Sequence, residues 1–156
     1  MHIILKLATQ SDIVDIHECN KSNLPLYYEI DELKDMIESG LNIIIISVMN
    51  NKINGYMICD FTKHNKNIVH VTSLAVNESF RKLGIGSKMF EYLIFLIKKY
   101  YSNINEITLN VHVENETAIR FYKKNGFTII GKKDGYYSSL TDYISSNDGY
   151  KMMKCL

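Results

Sequence analysis

Arg81-Lys82-Leu83-Gly84-Ile85-Gly86-Ser87 stands between two runs of different periodicity. Before it, Ile68 to Val76 is rich in β-branched residues and reads as a strand. After it, Ile85, Met89, Leu93, Leu96, Ile97 and Tyr100 recur at helical spacing to about Tyr101. A strand that turns through glycines into a helix is suited to phosphate. Glycine lets the backbone approach closely, and the first helical amides with the helix dipole favour negative charge. Arg81 and Lys82 add charge-assisted contacts. The stretch is not a Walker loop, because no Gly-Lys-Ser/Thr follows a four-residue gap. It is a poor dinucleotide fingerprint, because the third glycine is missing and the strand comes mid-chain. Spacing alone fits a plain glycine turn at a helix N-terminus equally well.

Working outward, Ile3 to Leu7 forms a first strand and Ser11 caps a helix with Ile13, Val14, Ile16 and His17 on one side. Pro25, the single proline, lies in a loop that runs from Asn23 to Tyr28. A short helix from about Asp31 to Ser39 ends at Gly40. Asn42 to Met49 reads as a strand buried on both faces. Asn50-Asn51 makes the turn, and Ile53 to Phe61 returns with Gly55 as a bulge. Lys63 to Asn67 is a polar turn, and strict alternation in the next strand puts His70, Thr72 and Leu74 on one face. Beyond the long helix come a strand from Glu106 to Val113, a helix from Asn115 to Lys124, and strands at Phe127 to Ile130 and Tyr150 to Cys155. This order predicts a mixed α/β sheet with one right-handed parallel crossover in its middle.

The 156 residues suit one domain spanning 1–156, and 46% hydrophobic with 22% charged residues argues against disorder. A net charge of +1 gives no general grip on nucleic acid or an anionic membrane. Cys19, Cys59 and Cys155 are scattered, and the five histidines lack ligand spacing, so neither a disulfide framework nor a metal site is expected. Buried, reduced thiols are the expectation instead. The N-terminus is too short and too soon broken by Lys6 for a secretory signal, and Ile43 to Ile46 is far below the roughly 18 apolar residues of a membrane span. A cytoplasmic protein is expected.

A second block follows the next strand: Asn115-Glu116-Thr117-Ala118-Ile119-Arg120-Phe121-Tyr122-Lys123-Lys124-Asn125-Gly126-Phe127. Together the two blocks, covering about Ile68 to Ile130, resemble the GNAT superfamily of N-acetyltransferases. The resemblance implies the GNAT fold, a mixed central sheet splayed around an acetyl-CoA cleft and flanked by about four helices. It implies acetyl-CoA as cosubstrate and no metal. Leu74, Ala75 and Val76 would contact the cofactor through their backbone, and Arg81, Lys82, Leu83, Gly84, Ile85, Gly86 and Ser87 would hold its pyrophosphate. Asn115 would contact the pantetheine arm, and Tyr122 would lie near the sulfur to stabilise or protonate the departing thiolate.

More of the chain looks like the NatE-type N-alpha-acetyltransferase branch, through Leu24-Pro25-Leu26-Tyr27-Tyr28 and Lys133-Asp134-Gly135-Tyr136-Tyr137. Leu24, Pro25, Leu26, Tyr28 and Thr72 would then face the substrate, with Pro25, Leu26 and Tyr28 forming a pocket for an initiator methionine. Tyr136 and Tyr137 would bond the peptide backbone. The branch carries tyrosine where His70 stands and histidine where Asn110 stands, and uses both to move the substrate proton through a water. Asn110 is no base, so His70 is the expected general base with Asn110 positioning the water; His112, on the same strand face as Asn110, is the alternative. An α-amine with pKa near 7.7–8.0 loses its proton about 3 kcal/mol more easily than a lysine near 10.4, which favours a protein N-terminus as acceptor. No cysteine lies in either block, so direct attack in a ternary complex is expected rather than an acyl-enzyme. The implied partner is an auxiliary ribosome-anchoring subunit, with no direct contact to nucleic acid or membrane. Other readings are a ribosomal-protein or lysine acetyltransferase, and a weakly active acetyl-CoA-binding subunit.

Overall fold

The computed structural model describes residues 2–61, 66–137 and 148–156. Its elements follow the expected order: β1 (Ile4–Leu7), α1 (Ile13–Asn23), α2 (Ile30–Ser39), β2 (Asn42–Met49), β3 (Lys52–Asp60), β4 (Ile68–Val76), α3 (Ile85–Tyr100), β5 (Glu106–His112), α4 (Glu116–Lys124), β6 (Thr128–Lys133) and β7 (Gly149–Cys155). The strands form one seven-stranded sheet in the order β1-β2-β3-β4-β5-β7-β6. Only β4 and β5 pair in parallel among these neighbours, as a strand–helix–strand unit requires. The turn expected at Lys63 to Asn67 falls largely outside the described residues.

Two apolar layers hold the sheet. Met89, Phe90, Leu93, Leu96 and Ile97 of α3 pack on Val69, Val71, Ile107, Leu109 and Val111. On the other face, Ile13 and Ile16 of α1 and Leu33 of α2 cover Ile44, Ile46, Tyr56, Ile58 and Ala75. Strand β2 serves both layers, with Ile45 in the first and Ile44 and Ile46 in the second, so it is buried on both sides as its composition requires. No helix among the described residues is long and apolar enough to cross a membrane.

Several expectations need correction. The start of α1 is not capped by Ser11. A 3-10 turn at Gln10–Asp12 precedes it, and Thr9 closes that turn through its N–H to Asp12 Oδ2 at 2.9 Å. The β3 bulge is at Asn54 rather than Gly55, since Ser47 pairs with Gly55 and Val48 with Ile53. Cys155 is exposed at the end of β7, whereas Cys19 and Cys59 are buried thiols whose pKa is pushed up by burial. The largest change is in β4. Ile58 pairs with Ser73 but Cys59 with Val71, which leaves Thr72 as an extra residue. The alternation therefore slips: Leu74 and Val76 join Val69 and Val71 against α3, and Ala75 lies in the opposite layer. His70 and Leu74 do not share a face, because a bulged strand repeats its side once before alternation resumes.

Candidate active site

The site begins where the parallel pair ends. β4 and β5 pair from Ile68↔Glu106 to Val71↔Leu109 and no further. β4 nevertheless stays paired with β3 out to Gly55↔Val76, and β5 with β7 out to His112↔Gly149. Each strand follows its outer neighbour, so the two diverge, and the bulge at Thr72 falls at the fork. The opening is a cleft of about 620 Å³. Leu74, Ala75 and Val76 line it from β4, and Arg81, Lys82, Gly84, Ile85, Gly86 and Ser87 from the following loop and helix. Asn115 and Tyr122 line it from α4. Leu83, expected with them, is outside the lining and 43% exposed.

Sequence and geometry agree on why the loop carries glycines, but each glycine has its own reason. Gly84 caps α3 at φ 78°, a left-handed conformation that costs a residue with a Cβ about 1–3 kcal/mol. Gly86 does not have a positive φ; it provides space. A Cβ there would stand 2.7 Å from Phe121 Cζ, and Phe121 lines the cleft from α4. Gly86→Ala should therefore displace that ring, lowering acetyl-CoA affinity about tenfold in calorimetry, on the order of 1.4 kcal/mol. Overpacking of this kind should also lower the melting temperature by a few degrees. An unchanged affinity would show that the ring yields without touching the cofactor.

Arg81, besides lining the cleft, anchors the loop. Its Nε donates to the Val76 carbonyl at 2.9 Å and its Nη2 to Asn23 Oδ1 at 2.8 Å, so the guanidinium ties the loop to β4 and α1. Asn23 in turn donates to Asn77 Oδ1 at 2.7 Å. Asn115 caps α4, its Oδ1 accepting from the Ala118 N–H at 3.1 Å, which leaves its amide NH₂ as the donor toward the cleft. Tyr122 packs edge-on against Phe90 at 6.2 Å and Phe127 at 5.9 Å. Burial pushes its phenol up to about 12, so it remains a proton donor at any physiological pH.

On the opposite sheet face, a chain of polar side chains lies at the fork. His70, 6% exposed, has Nδ1 2.8 Å from Thr108 Oγ1 and Nε2 3.3 Å from Asn110 Nδ2. Asn110 Nδ2 also donates to Tyr136 Oη at 2.9 Å. Buried Asp60 stands opposite His70 in the β3–β4 ladder. His112 is set apart: its Nδ1 accepts from the Glu114 N–H at 3.1 Å, and its ring lies 5.4 Å from that of Tyr137. Burial first, then the neighbouring Tyr136 and Tyr122, pushes the Tyr137 phenol up. Gly149 makes room for this pair, since a Cβ there would be 3.0 Å from Tyr137 Cε2 and 3.2 Å from Tyr136 Cβ.

The loop before α2 is held by groups the sequence reading did not single out. Buried Asn20 accepts from the Tyr28 N–H at 2.6 Å and donates to Tyr56 Oη at 2.5 Å. Tyr56 Oη meets Ser73 Oγ at 2.7 Å, and His17 Nδ1 donates to the Tyr28 carbonyl at 2.9 Å. Leu24 reaches the cleft lining, while Pro25 and Leu26 are exposed and Tyr28 packs on the α1 layer. Thr72 Oγ1 donates to the Ile58 carbonyl at 3.4 Å. Asn20 and Asn23, one helical turn apart, thus hold the two loops that flank the cleft. A polar residue at a core-facing helical position was the only sequence signal for Asn20. Phe80, Thr117, Ala118 and Lys124 also line the cleft without having been expected.

Comparison with known proteins adds an independent finding. The model of the acetyltransferase (GNAT) family matches residues 11–127. The chain is 30% identical over 151 residues to an N-alpha-acetyltransferase of Sulfolobus acidocaldarius, covering 88% of this chain and 87% of that one. It is 30% identical over 135 residues to N-alpha-acetyltransferase 50 of Danio rerio, covering 85% and 79%. Among solved structures, Arabidopsis thaliana Naa50 in complex with the bisubstrate analogue CoA-Ac-MVNAL superposes with a TM-score of 0.81 at 25% identity, covering 100% of both chains.

Proposed function

The chain belongs to the GNAT acetyltransferase family and draws on acetyl-CoA, and on that premise we propose that residues 1–156 form one domain that acetylates the α-amine of peptides beginning with methionine. The observation that carries this reading is the fork itself. A glycine-lined cleft opens there, and beside it lies a buried histidine that Asn110 links to Tyr136. The donor set fits the cofactor: the first amides of α3, Lys82 and the Asn115 amide suit a pyrophosphate with an amide-bearing arm. Bound acetyl-CoA supplies an acyl group activated as a thioester.

The residues of the chain then divide the work. Backbone amides of Leu74 to Val76, freed from β5 by the fork, hold the arm and polarise the thioester carbonyl. Leu24, Pro25, Leu26, Tyr28 and Thr72 surround the first side chain, and Tyr136 and Tyr137 bond the peptide backbone. An apolar pocket with few polar groups selects a thioether side chain. His70 takes the amine proton through a water held at Asn110, and the neutral amine attacks directly. Tyr122 donates to the departing sulfur. Support for a methionine start comes from the Arabidopsis relative, whose bound analogue carries the sequence MVNAL. The reading includes a cytoplasmic, NatE-type role with an auxiliary ribosome-anchoring subunit as partner.

A panel of peptides beginning Met-Leu, Ala, Ser and Asp, with an N-terminally blocked lysine peptide, tests the acceptor by release of free thiol. The Met-Leu peptide should exceed the others at least tenfold in kcat/KM, the range a hydrophobic pocket provides. Preference for Ala or for lysine would replace this reading, and cofactor binding without turnover would make the chain a binding subunit.

A further inference from the structure

Thr108 is 1% exposed and stands directly opposite His70 in the β4–β5 ladder, one pair before the last at Val71↔Leu109. Its hydroxyl thus meets His70 in the closed part of the sheet, just before the strands separate. The contact at 2.8 Å is on Nδ1, while the other ring nitrogen, Nε2, faces the Asn110 amide NH₂ at 3.3 Å. An amide NH₂ only donates, so Nε2 is the acceptor there. A neutral imidazole with its lone pair on Nε2 carries its proton on Nδ1, and Thr108 Oγ1 is the group that receives it.

We propose that Thr108 is a positioning residue that holds His70 in the Nδ1–H form. The nitrogen facing Asn110 and Tyr136 is then the one able to take a proton. The proposal rests on the reading of His70 as base. It deepens that reading: a base needs both a lone pair on the correct nitrogen and a fixed ring, and a hydroxyl buried opposite it in the ladder provides both. Described groups near the ring include Asp60 from β3 and Thr108 and Asn110 from β5, with Asn110 linking on to Tyr136 in the turn after β6 and His112 further along β5. The two-residue spacing of Thr108 and Asn110 puts both on one face of β5, so a single strand presents one partner to each ring nitrogen.

The test compares Thr108→Val, which keeps the shape and removes the hydroxyl, with Thr108→Ser, which restores it. Nitrogen-15 NMR of histidine-labelled protein, with His70→Gln assigning the signal, reports the tautomer independently of turnover. Wild type and Thr108→Ser should show Nδ1–H. Thr108→Val should show a mixed or Nε2–H form, with kcat on a Met-Leu peptide lowered about tenfold and KM for acetyl-CoA unchanged within twofold. Should Thr108→Val fail to fold in a thermal melt, Thr108→Ala gives the same readouts. A wild-type Nε2–H form, as a reversed Asn110 amide would produce, overturns the proposal, and so does a tautomer that Thr108→Val leaves unchanged. A shifted tautomer with unaltered kcat overturns the catalytic consequence and sinks His70 as base, while leaving the Thr108 contact intact.

Discussion

His70→Ala should lower kcat/KM for a Met-Leu peptide about 10²- to 10⁴-fold near neutral pH, the range of a lost general base. That corresponds to about 3–5 kcal/mol of transition-state stabilisation. The defect should shrink as pH rises. Without a base, only amine that has already lost its proton reacts, and an α-amine does so around pH 7.7–8.0. Rates of the variant should therefore climb about tenfold per pH unit below that value and approach those of the wild type above it. Acetyl-CoA affinity should not change, because His70 lies outside the cleft lining. His112→Ala should stay within a few-fold of wild type. Its Nδ1 is occupied by the Glu114 amide, and its ring supports Tyr137. If the two variants exchange these behaviours, the proton leaves through His112. If the His70→Ala defect is the same at every pH, His70 shapes the site without moving a proton.

The cofactor side of this site was legible because local rules govern it. A strand, two glycines and an amphipathic helix within about thirty residues state a backbone conformation, and the helix after Asn115 carries its own cap and apolar face. The double-sided burial of β2 was likewise written in an unbroken Ile run. What escaped was non-local. The Thr72 bulge left no mark in a segment that alternates smoothly, since it exists only in the pairing of Ile58 and Cys59 with Ser73 and Val71. It reassigned Leu74 to the α3 side and left His70 on the other. The anchor that Arg81 makes is of the same kind. Its partner, Asn23, is 58 residues away on α1. Thr9 rather than Ser11 is the cap, and its reciprocal partner is Asp12, not the Glu or Gln of the usual capping box. The Thr108–His70 contact needed the parallel register, which no spacing within either strand encodes.

Tyr122→Phe should reduce kcat about 10²-fold, on the order of 3 kcal/mol, while acetyl-CoA affinity stays within about threefold. The ring contributes packing against Phe90 and Phe127, and phenylalanine keeps it, so the melting temperature should hold. Only the hydroxyl goes, and it matters only when charge develops on the departing sulfur. An interaction made in the transition state alone lowers kcat without moving ground-state binding. The pH dependence separates this role from simple burial. Burial lifts the Tyr122 pKa from 10 to about 12, so the neutral phenol is the stable form across the range in which the α-amine becomes reactive. The sign follows: raising pH from 8 to 10 deprotonates substrate but not Tyr122, and wild-type kcat should show no alkaline decline attributable to it before about pH 11. A decline centred at pH 10 that Tyr122→Phe abolishes would mean that the hydroxyl titrates as in water, open to solvent at the sulfur. An unchanged kcat in Tyr122→Phe would leave the backbone amides of Leu74 to Val76 and the departing thiolate's own stability to carry the step, with Tyr122 as packing between α3 and α4.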